Sequence, residues 1–407
     1  MRYGSLSDVR VIDLTHFIAG PYATKLLATL GAQVIKVEPP WGEPGRRLGP
    51  FPPGSSGHGA HGGLFAFLNT DKLGITLNLK REPGRAALLG LLEGADLLVE
   101  NFAPGTLARL GFAPQQLLGR FPRLSIVSIS NFGQTGPERD GILNDLTLFA
   151  RGGWTFPVGE PDREPLTPPG SLAQFVGGVY GAIGAMEALL ARDFALGRGQ
   201  HVDLSLLEAT VSTMIYESVA FQYTGIVRTR VGKRFNQPNL IVTLKTRDGY
   251  AGLHCVTEKQ FRSLLEIIGR PDLLHDPRFE AVMPRIQNLP ALIEILEQFF
   301  LTRDRNWLAA EGLRRGLPLV PIPSAAEVLE WEQTRARNYF ETIDDPALGQ
   351  IRIPGPPLRL GSHRGAPSRP APRLGEHNRE ILGVRLGLGE AKLRELQGSG
   401  AEAEARP

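Results

Sequence analysis

"VRVIDLTHFIAGPYATKLLATLGAQVIKVE", residues 9–38, reads as strand, helix, strand. "VRVIDL" (9–14) is a β-branched run of strand length. A helix is predicted from Pro21 to Leu30, with the proline in the first turn, where a missing N–H costs little. Gly31 ends it, and "AQVIKVE" (32–38) forms the second strand. Strands joined by a helix rather than a tight turn run parallel, with both sheet faces covered.

The pattern continues outward from this unit. "GITLNL" (74–79), "ADLLVENF" (95–102) and "LSIVSISNF" (124–132) are further strands, with helical stretches at 83–94 and 104–120 between them. The fold class is therefore α/β, a Rossmann-like parallel sheet. Residues 39–63 form a loop too long to be idle in a compact domain. Helices are expected near 171–193 and 203–222, joined by "DFALGRGQHVD". "RTRVGKRFNQPN" (228–239) then marks a change of composition. Residues 235–320 read as a smaller α/β unit, opening with a hairpin at Asp248-Gly249. The expected organisation is a large domain over 1–225, a small domain over 226–330, a return to the large domain over 331–390 and a frayed tail over 391–407. No internal repeat is found.

Composition narrows the function. The 407 residues carry a net charge of +3, with apolar and charged fractions of a globular protein. Glycine and proline make up about a fifth of the chain, so loops and close backbone contacts are expected. Basic residues are scattered among acids, which speaks against a nucleic-acid partner. No run of 18 apolar residues predicts a membrane span. The N-terminus lacks the charged-then-apolar pattern of a signal segment, and the single Cys255 excludes an internal disulfide. A cytoplasmic location is expected.

Most chemical motifs are absent. The first strand–helix turn, "DLTHFIAGPYA", lacks G-x-G-x-x-G, which disfavours a dinucleotide. It still aims helix N–H groups outward, so an anion at residues 16–21 competes with an ordinary strand–helix turn. His58 and His61 lie in a glycine loop without a carboxylate, and no metal is expected. Ser205 lacks a nucleophile elbow. Cys255 reads as buried filler in a strand. "ENFAPGTLARLG" (100–111) gathers Asn101, Phe102 and Arg109 around a strand end. "GSLAQFVGGVYGAIGAMEALLAR" (170–192) is a helix whose glycines at 178, 181 and 184 leave one face nearly bare. Near its start stands Gln174, an amide with no acid beside it.

Taken in order, the 9–46 segment, "LGITLNLKREPGRAALLGLLEGADLLVENFAPGTLARLGF", "SISNFGQTGPERD", "ALLARDFALGRGQHVDLSLLEA", "DPRFEAVMPRIQN" and "APRLGEHNREILG" resemble the class III CoA-transferases. That group also holds formyl-CoA transferase and the α-methylacyl-CoA racemases. The resemblance implies an interlocked-ring dimer and coenzyme A as the shared ligand. It carries CoA contacts onto His16, Phe17, Ile18 and Ala19, then onto Leu77, Asn78, Leu79 and Lys80. Further contacts fall on Asn101, Phe102, Ala103, Thr106, Arg109 and Leu110, and on Asn144 and Asp145. An arginine usual after the second strand is replaced by Pro39, with Arg46 or Arg47 as the substitute charge. The family's aspartate nucleophile falls on Gln174, and a shift by one residue reaches only Ala173 or Phe175. A carboxamide cannot act as that nucleophile. The racemase histidine falls on Asn144, beside Asp145.

Three readings follow from the resemblance. The first is the CoA-binding subunit of a two-paralogue transferase, like the benzylsuccinate type, that moves CoA between an acyl-CoA such as succinyl-CoA and a carboxylic acid. The second is a self-sufficient transferase using Asp145. The third is a CoA-binding structural or regulatory protein without turnover. The assembly is then a homodimer, or a heterodimer or heterotetramer with a paralogue.

Overall fold

The computed structural model describes residues 4–53, 61–232, 240–361 and 369–398. They form two compact units, one made of Met1–Gly152, Pro168–Ile215 and Arg335–Pro407, the other of Gly153–Thr167 and Tyr216–Thr334. The large unit thus hands over at Ile215 rather than residue 225 and resumes at Arg335 rather than 331. It also cedes 153–167 to the smaller unit.

The large unit is built on a six-stranded parallel sheet. Its strands are β1 Arg10–Asp13, β2 Gln33–Glu38, β3 Leu73–Thr76, β4 Leu97–Glu100, β5 Ser125–Ser130 and β6 His201–Ser205. The helices are α1 Ala19–Thr29, α2 Gly63–Leu68, α3 Glu82–Leu92, α4 Thr106–Arg109, α5 Pro114–Arg120, α6 Asp145–Arg151 and α7 Leu172–Ala191. Strand order is β3-β2-β1-β4-β5-β6, so the winding direction reverses between β1 and β4. A crevice opens at the carboxyl ends of such strands. Ile12, Val37, Ile75, Leu98 and Ile126 bring the strands onto Leu88 and Leu92 of α3 in one core.

Three expectations need correction. β6 lies where a helix from 203 was expected; it sits at the sheet edge with only Ser205 buried, so it shows no apolar run. The helix expected over 104–120 is two helices, because Gly111 takes φ +93° and Pro114 starts a new one. The tail is helical over Glu390–Gly398, where Leu393 and Leu396 enter the large core; residues 399–407 lie outside the described residues.

The smaller unit has its own core around Leu253, Phe261, Leu264, Leu296 and Phe300. Its antiparallel sheet joins β7 Leu240–Thr246, β8 Gly249–Cys255 and β9 Leu319–Pro321, and the β7–β8 hairpin turns at Arg247-Asp248. Burial pushes the Cys255 thiol up to about 12, which fits the filler reading. His61 pairs with Asp345 at 2.9 Å, tying the segment before α2 to the large unit's hairpin of β10 Phe340–Asp345 and β11 Gly349–Pro354. His58 lies outside the described residues.

The α7 helix is the one described helix long and apolar enough to cross a bilayer. Packing accounts for that composition, since Ala173, Gly177, Gly178, Gly181, Ala185 and Ala188 are all buried. A Cβ on Gly178 would stand 2.7 Å from the Ala19 carbonyl oxygen and 2.9 Å from the Tyr22 ring. One on Gly181 would stand 3.0 Å from Ile129 and 3.1 Å from Ala23. These glycines let α7 lie directly against α1.

Glu100, the last residue of β4, is buried, and its Oε2 accepts from Phe102 N–H at 2.8 Å. Burial raises its pKa to about 7, against hydrogen bonds from Ser128 and Phe102 and with help from the Asp203 charge.

Two outcomes follow. Alanine at Gly178 gains about 1 kcal/mol of helix propensity. The overlap with a fixed carbonyl costs about 1–3 kcal/mol, so Gly178→Ala lowers the Tm. A higher Tm would show that α7 is not seated this closely. The folded Glu100 holds its proton from 4.5 up to about 7. Its stabilising contribution is therefore full below 4.5 and lost as pH rises through 7. Denaturant unfolding of Glu100→Gln flattens this fall by on the order of 1–3 kcal/mol; identical pH profiles would show that the folded carboxyl is not raised.

Candidate active site

The segment after β1 is held from every side. Asp13 Oδ1 accepts from Thr15 N–H at 2.8 Å, and Lys36 Nζ donates to the Thr15 carbonyl at 2.8 Å. Asn101 pairs with His16 both ways, accepting from its N–H at 2.7 Å and donating to its carbonyl at 2.8 Å. Glu43 Oε2 accepts from Phe17 N–H at 3.1 Å and from Gly45 N–H at 2.8 Å. These contacts hold Phe17 at φ +63°, a left-handed conformation that costs a non-glycine residue about 1–2 kcal/mol.

A buried charge cluster lies beneath. Lys72 Nζ donates to Asp13 Oδ2 at 3.0 Å, Pro21 O at 2.9 Å, Thr24 Oγ1 at 2.8 Å and Asn69 Oδ1 at 2.9 Å. Burial alone would raise the Asp13 pKa. The Lys72 and Lys36 charges and the Thr15 and Thr24 hydroxyls outweigh it and hold the carboxyl well below the usual range. Lys36 also faces Glu43 at 3.6 Å.

Beside the turn that these contacts hold lies a cavity of about 460 Å³. Phe17 and Ile18 line it from the end of β1, Asn101 to Pro104 from β4, and Ile129 to Asn131 from β5. Residues 140–145, Gln174 and Leu206 complete the wall. The carboxyl ends of β1, β4 and β5 thus meet where a doubly wound sheet holds ligands.

Asn144 caps α6, its side chain accepting from Thr147 N–H at 3.0 Å in a capping box. Asp145, the next residue, turns to α7. Its Oδ1 accepts from Gln174 N–H at 3.2 Å, and Ala173 N–H and the Ser171 hydroxyl also donate to the carboxylate. Burial is the largest influence on Asp145 and raises its pKa above the usual carboxylate value. The acid thus satisfies the open N–H groups of the α7 N-terminus. Gln174 stands in that first turn, half-buried and on the cavity wall.

The other residues expected to contact CoA are distributed unevenly. Phe17, Ile18, Asn101, Phe102, Ala103, Asn144 and Asp145 line the cavity. His16 stands behind it, edge-on to Phe102 at 5.4 Å, and burial followed by the Lys36 charge lowers its pKa. Ala19 is sealed under α7, and Leu77 lies in the core, leaving only backbone groups to serve a ligand. Asn78 turns back to accept from Lys80 N–H at 3.1 Å; Leu79 is partly buried and Lys80 exposed. Arg109 donates to Thr106 Oγ1 at 2.7 Å, with Leu110 partly buried beside them. None of Leu77 to Lys80, Thr106, Arg109 or Leu110 lines this cavity.

Arg46 does not replace the arginine missing at Pro39. It is spent on two hydrogen bonds to the Glu38 carboxylate, at 2.7 and 2.6 Å, and on one to Pro372 O at 2.9 Å. Arg47 is exposed and carries that expectation alone. Lys36, Glu43, Ser130, Asn131 and Leu206 were missed as site residues. The strand-end rule was signal enough for Ser130 and Asn131, whereas Lys36 and Glu43 act through long-range contacts.

The family model for CoA-transferase family III matches residues 6–378. The acetyl-CoA:oxalate CoA-transferase of Acetobacter aceti is 34% identical over 377 residues, covering 92% of this chain and 94% of that one. The alpha subunit of succinyl-CoA–L-malate CoA-transferase from Chloroflexus aurantiacus is 29% identical over 399 residues, covering 96% and 91%. A CaiB/BaiF family crystal structure from Brucella suis aligns with a TM-score of 0.82 at 31% identity, covering 94% of this chain and 99% of that one. Match, relatives and sheet agree: the chain belongs to CoA-transferase family III, whose enzymes exchange CoA between an acyl-CoA and a carboxylate.

Proposed function

We propose that this chain is the CoA-binding, non-nucleophilic subunit of an acyl-CoA:carboxylate CoA-transferase. It forms the thioester cavity, while a paralogue linked to it in the dimer supplies the aspartate that attacks. One observation carries the reading: the first turn of α7 presents Gln174 to the cavity, an uncharged amide whose oxygen lacks the charge and nucleophilicity of a carboxylate. The alpha-subunit name of the Chloroflexus relative supports a division of labour of this kind.

Asp145 favours a second reading, because it lines the same cavity and carries an ionisable oxygen. Its engagement with the α7 backbone weighs against it. An acyl bond to this carboxylate would remove its charge and disturb acceptors now given to Gln174, Ala173 and Ser171. A raised pKa also means a smaller ionised fraction.

The test is a transfer assay with butyryl-CoA and succinyl-CoA as alternative donors and a panel of carboxylic acids, using purified wild type, Gln174→Asp and Asp145→Asn. Wild type alone is expected to give no transfer. Gln174→Asp is expected to gain at least about tenfold, equivalent to ~1.4 kcal/mol of barrier, together with a hydroxylamine-sensitive adduct. Turnover by wild type alone that Asp145→Asn abolishes would overturn the subunit reading in favour of Asp145. No gain from Gln174→Asp, with no rise in wild-type Tm on adding CoA, would overturn the assignment of the cavity to CoA.

A further inference from the structure

We propose that the acyl group taken into this cavity carries no charge: the site fits the CoA thioester of an aliphatic or aromatic monocarboxylic acid, and the Ser130 hydroxyl donates to its carbonyl oxygen. The inference rests on the CoA-transferase reading and narrows it to a substrate class.

The cavity is electrostatically one-sided. Among the described residues no lysine, arginine or histidine lines it. Its charged groups are two acids: Asp140, exposed beside Arg139 at 3.4 Å, and Asp145. The remaining wall is largely hydrocarbon, with Ile18, Phe102, Ile129, Leu143 and Leu206 among its members. A second carboxylate on the acyl chain would be stripped of water here, next to Asp145 and without a cation. Burying an ion is tolerated only with a partner of opposite sign. A methyl or phenyl group in the same place gains from leaving water.

Ser130 supplies the polar contact. It is the last residue of β5, it is buried, and it lines the cavity. Its Oγ has no hydrogen-bond partner. The serine two residues earlier shows the contrast, because Ser128 Oγ pairs with His201 Nε2 at 2.9 Å. A buried hydroxyl left unpaired is costly and calls for an explanation. The Oγ is itself shut off from solvent as placed; a turn to another staggered χ1 position brings it to the cavity its residue lines, where a thioester carbonyl offers the acceptor the protein does not. A carbonyl accepts one such bond without bringing charge, as the rest of the wall demands.

Calorimetry on the full chain tests this with four ligands: free CoA, butyryl-CoA, succinyl-CoA and the thioether S-butyl-CoA. Butyryl and succinyl groups differ only in ending in a methyl or a carboxylate. Butyryl-CoA is expected to bind at least about tenfold more tightly than succinyl-CoA. Ser130→Ala should weaken butyryl-CoA by about three- to tenfold while leaving S-butyl-CoA, which has no thioester carbonyl, unchanged. Its unliganded Tm should equal or exceed that of wild type, since the variant removes an unpaired polar group. Equal or tighter binding of succinyl-CoA would overturn the uncharged-acyl inference, and equal losses for butyryl- and S-butyl-CoA would overturn the role of Ser130. Should free CoA itself fail to bind, the CoA-transferase reading falls, a result distinct from either of these.

Discussion

The structure depends on one short turn being held against its own preference. Phe17 sits at φ +63° because Asp13, Lys36, Asn101 and Glu43 bind the backbone groups of Thr15, His16 and Phe17. Those side chains come from β1, β2, the end of β4 and the loop after β2. The turn therefore takes its shape only once β1 lies between β2 and β4, so the strand order and the cavity wall are specified together. Lys36, Lys72, Asp13 and Glu43 balance in sign, with Asp13 and Lys72 in direct contact at 3.0 Å. Removing one member of such a buried set costs about 3–5 kcal/mol, because a charge is left without its partner. Ionic groups here position more than they stabilise.

The second constraint comes from the opposite wall. The glycines of α7 bring it close enough to α1 that its first turn opens onto the cavity shaped by Phe17 and Ile18. Larger residues on that face would lift Gln174 away from the strand ends. Asp145 fixes the same turn from the α6 side, so the amide is located by backbone packing and one carboxylate, not by a contact of its own side chain.

Much of this was legible in the sequence, and the remainder was illegible for physical reasons. Stretches rich in valine and isoleucine such as "QVIKVE" and "SIVSIS" announce buried strands, and both are buried almost throughout. The edge strand His201–Ser205 has no such need and passes for the start of a helix. Gln174 is singled out through the family resemblance, and the structure sets it on the cavity wall. Lys36 reads as the polar member of a strand, and Glu43 as one acid in a proline-rich loop. Their roles exist only in contacts with Thr15 and Phe17, 21 and 26 residues away in sequence. Ser130 is legible as a strand end, but not as an unpaired hydroxyl. Arg46 shows the reverse error: a free charge in the sequence is a consumed one in the fold.

The amide at position 174 also has a consequence for Asp145. Burial already favours the protonated form of that acid, and the donors from the α7 turn restrain the rise. An aspartate at 174 would bring a second negative charge beside it, and two carboxylates sharing a site cannot both stay ionised cheaply. With glutamine there, Asp145 can keep its charge and continue to cap α7. A nucleophile at 174 would stand beside this capping acid, and among the described residues no cation lines the cavity. In the proposed two-chain transferase this conflict does not arise, because the reacting carboxylate would belong to the other chain. An uncharged residue at 174 thus leaves Asp145 free to stay bound to the α7 turn.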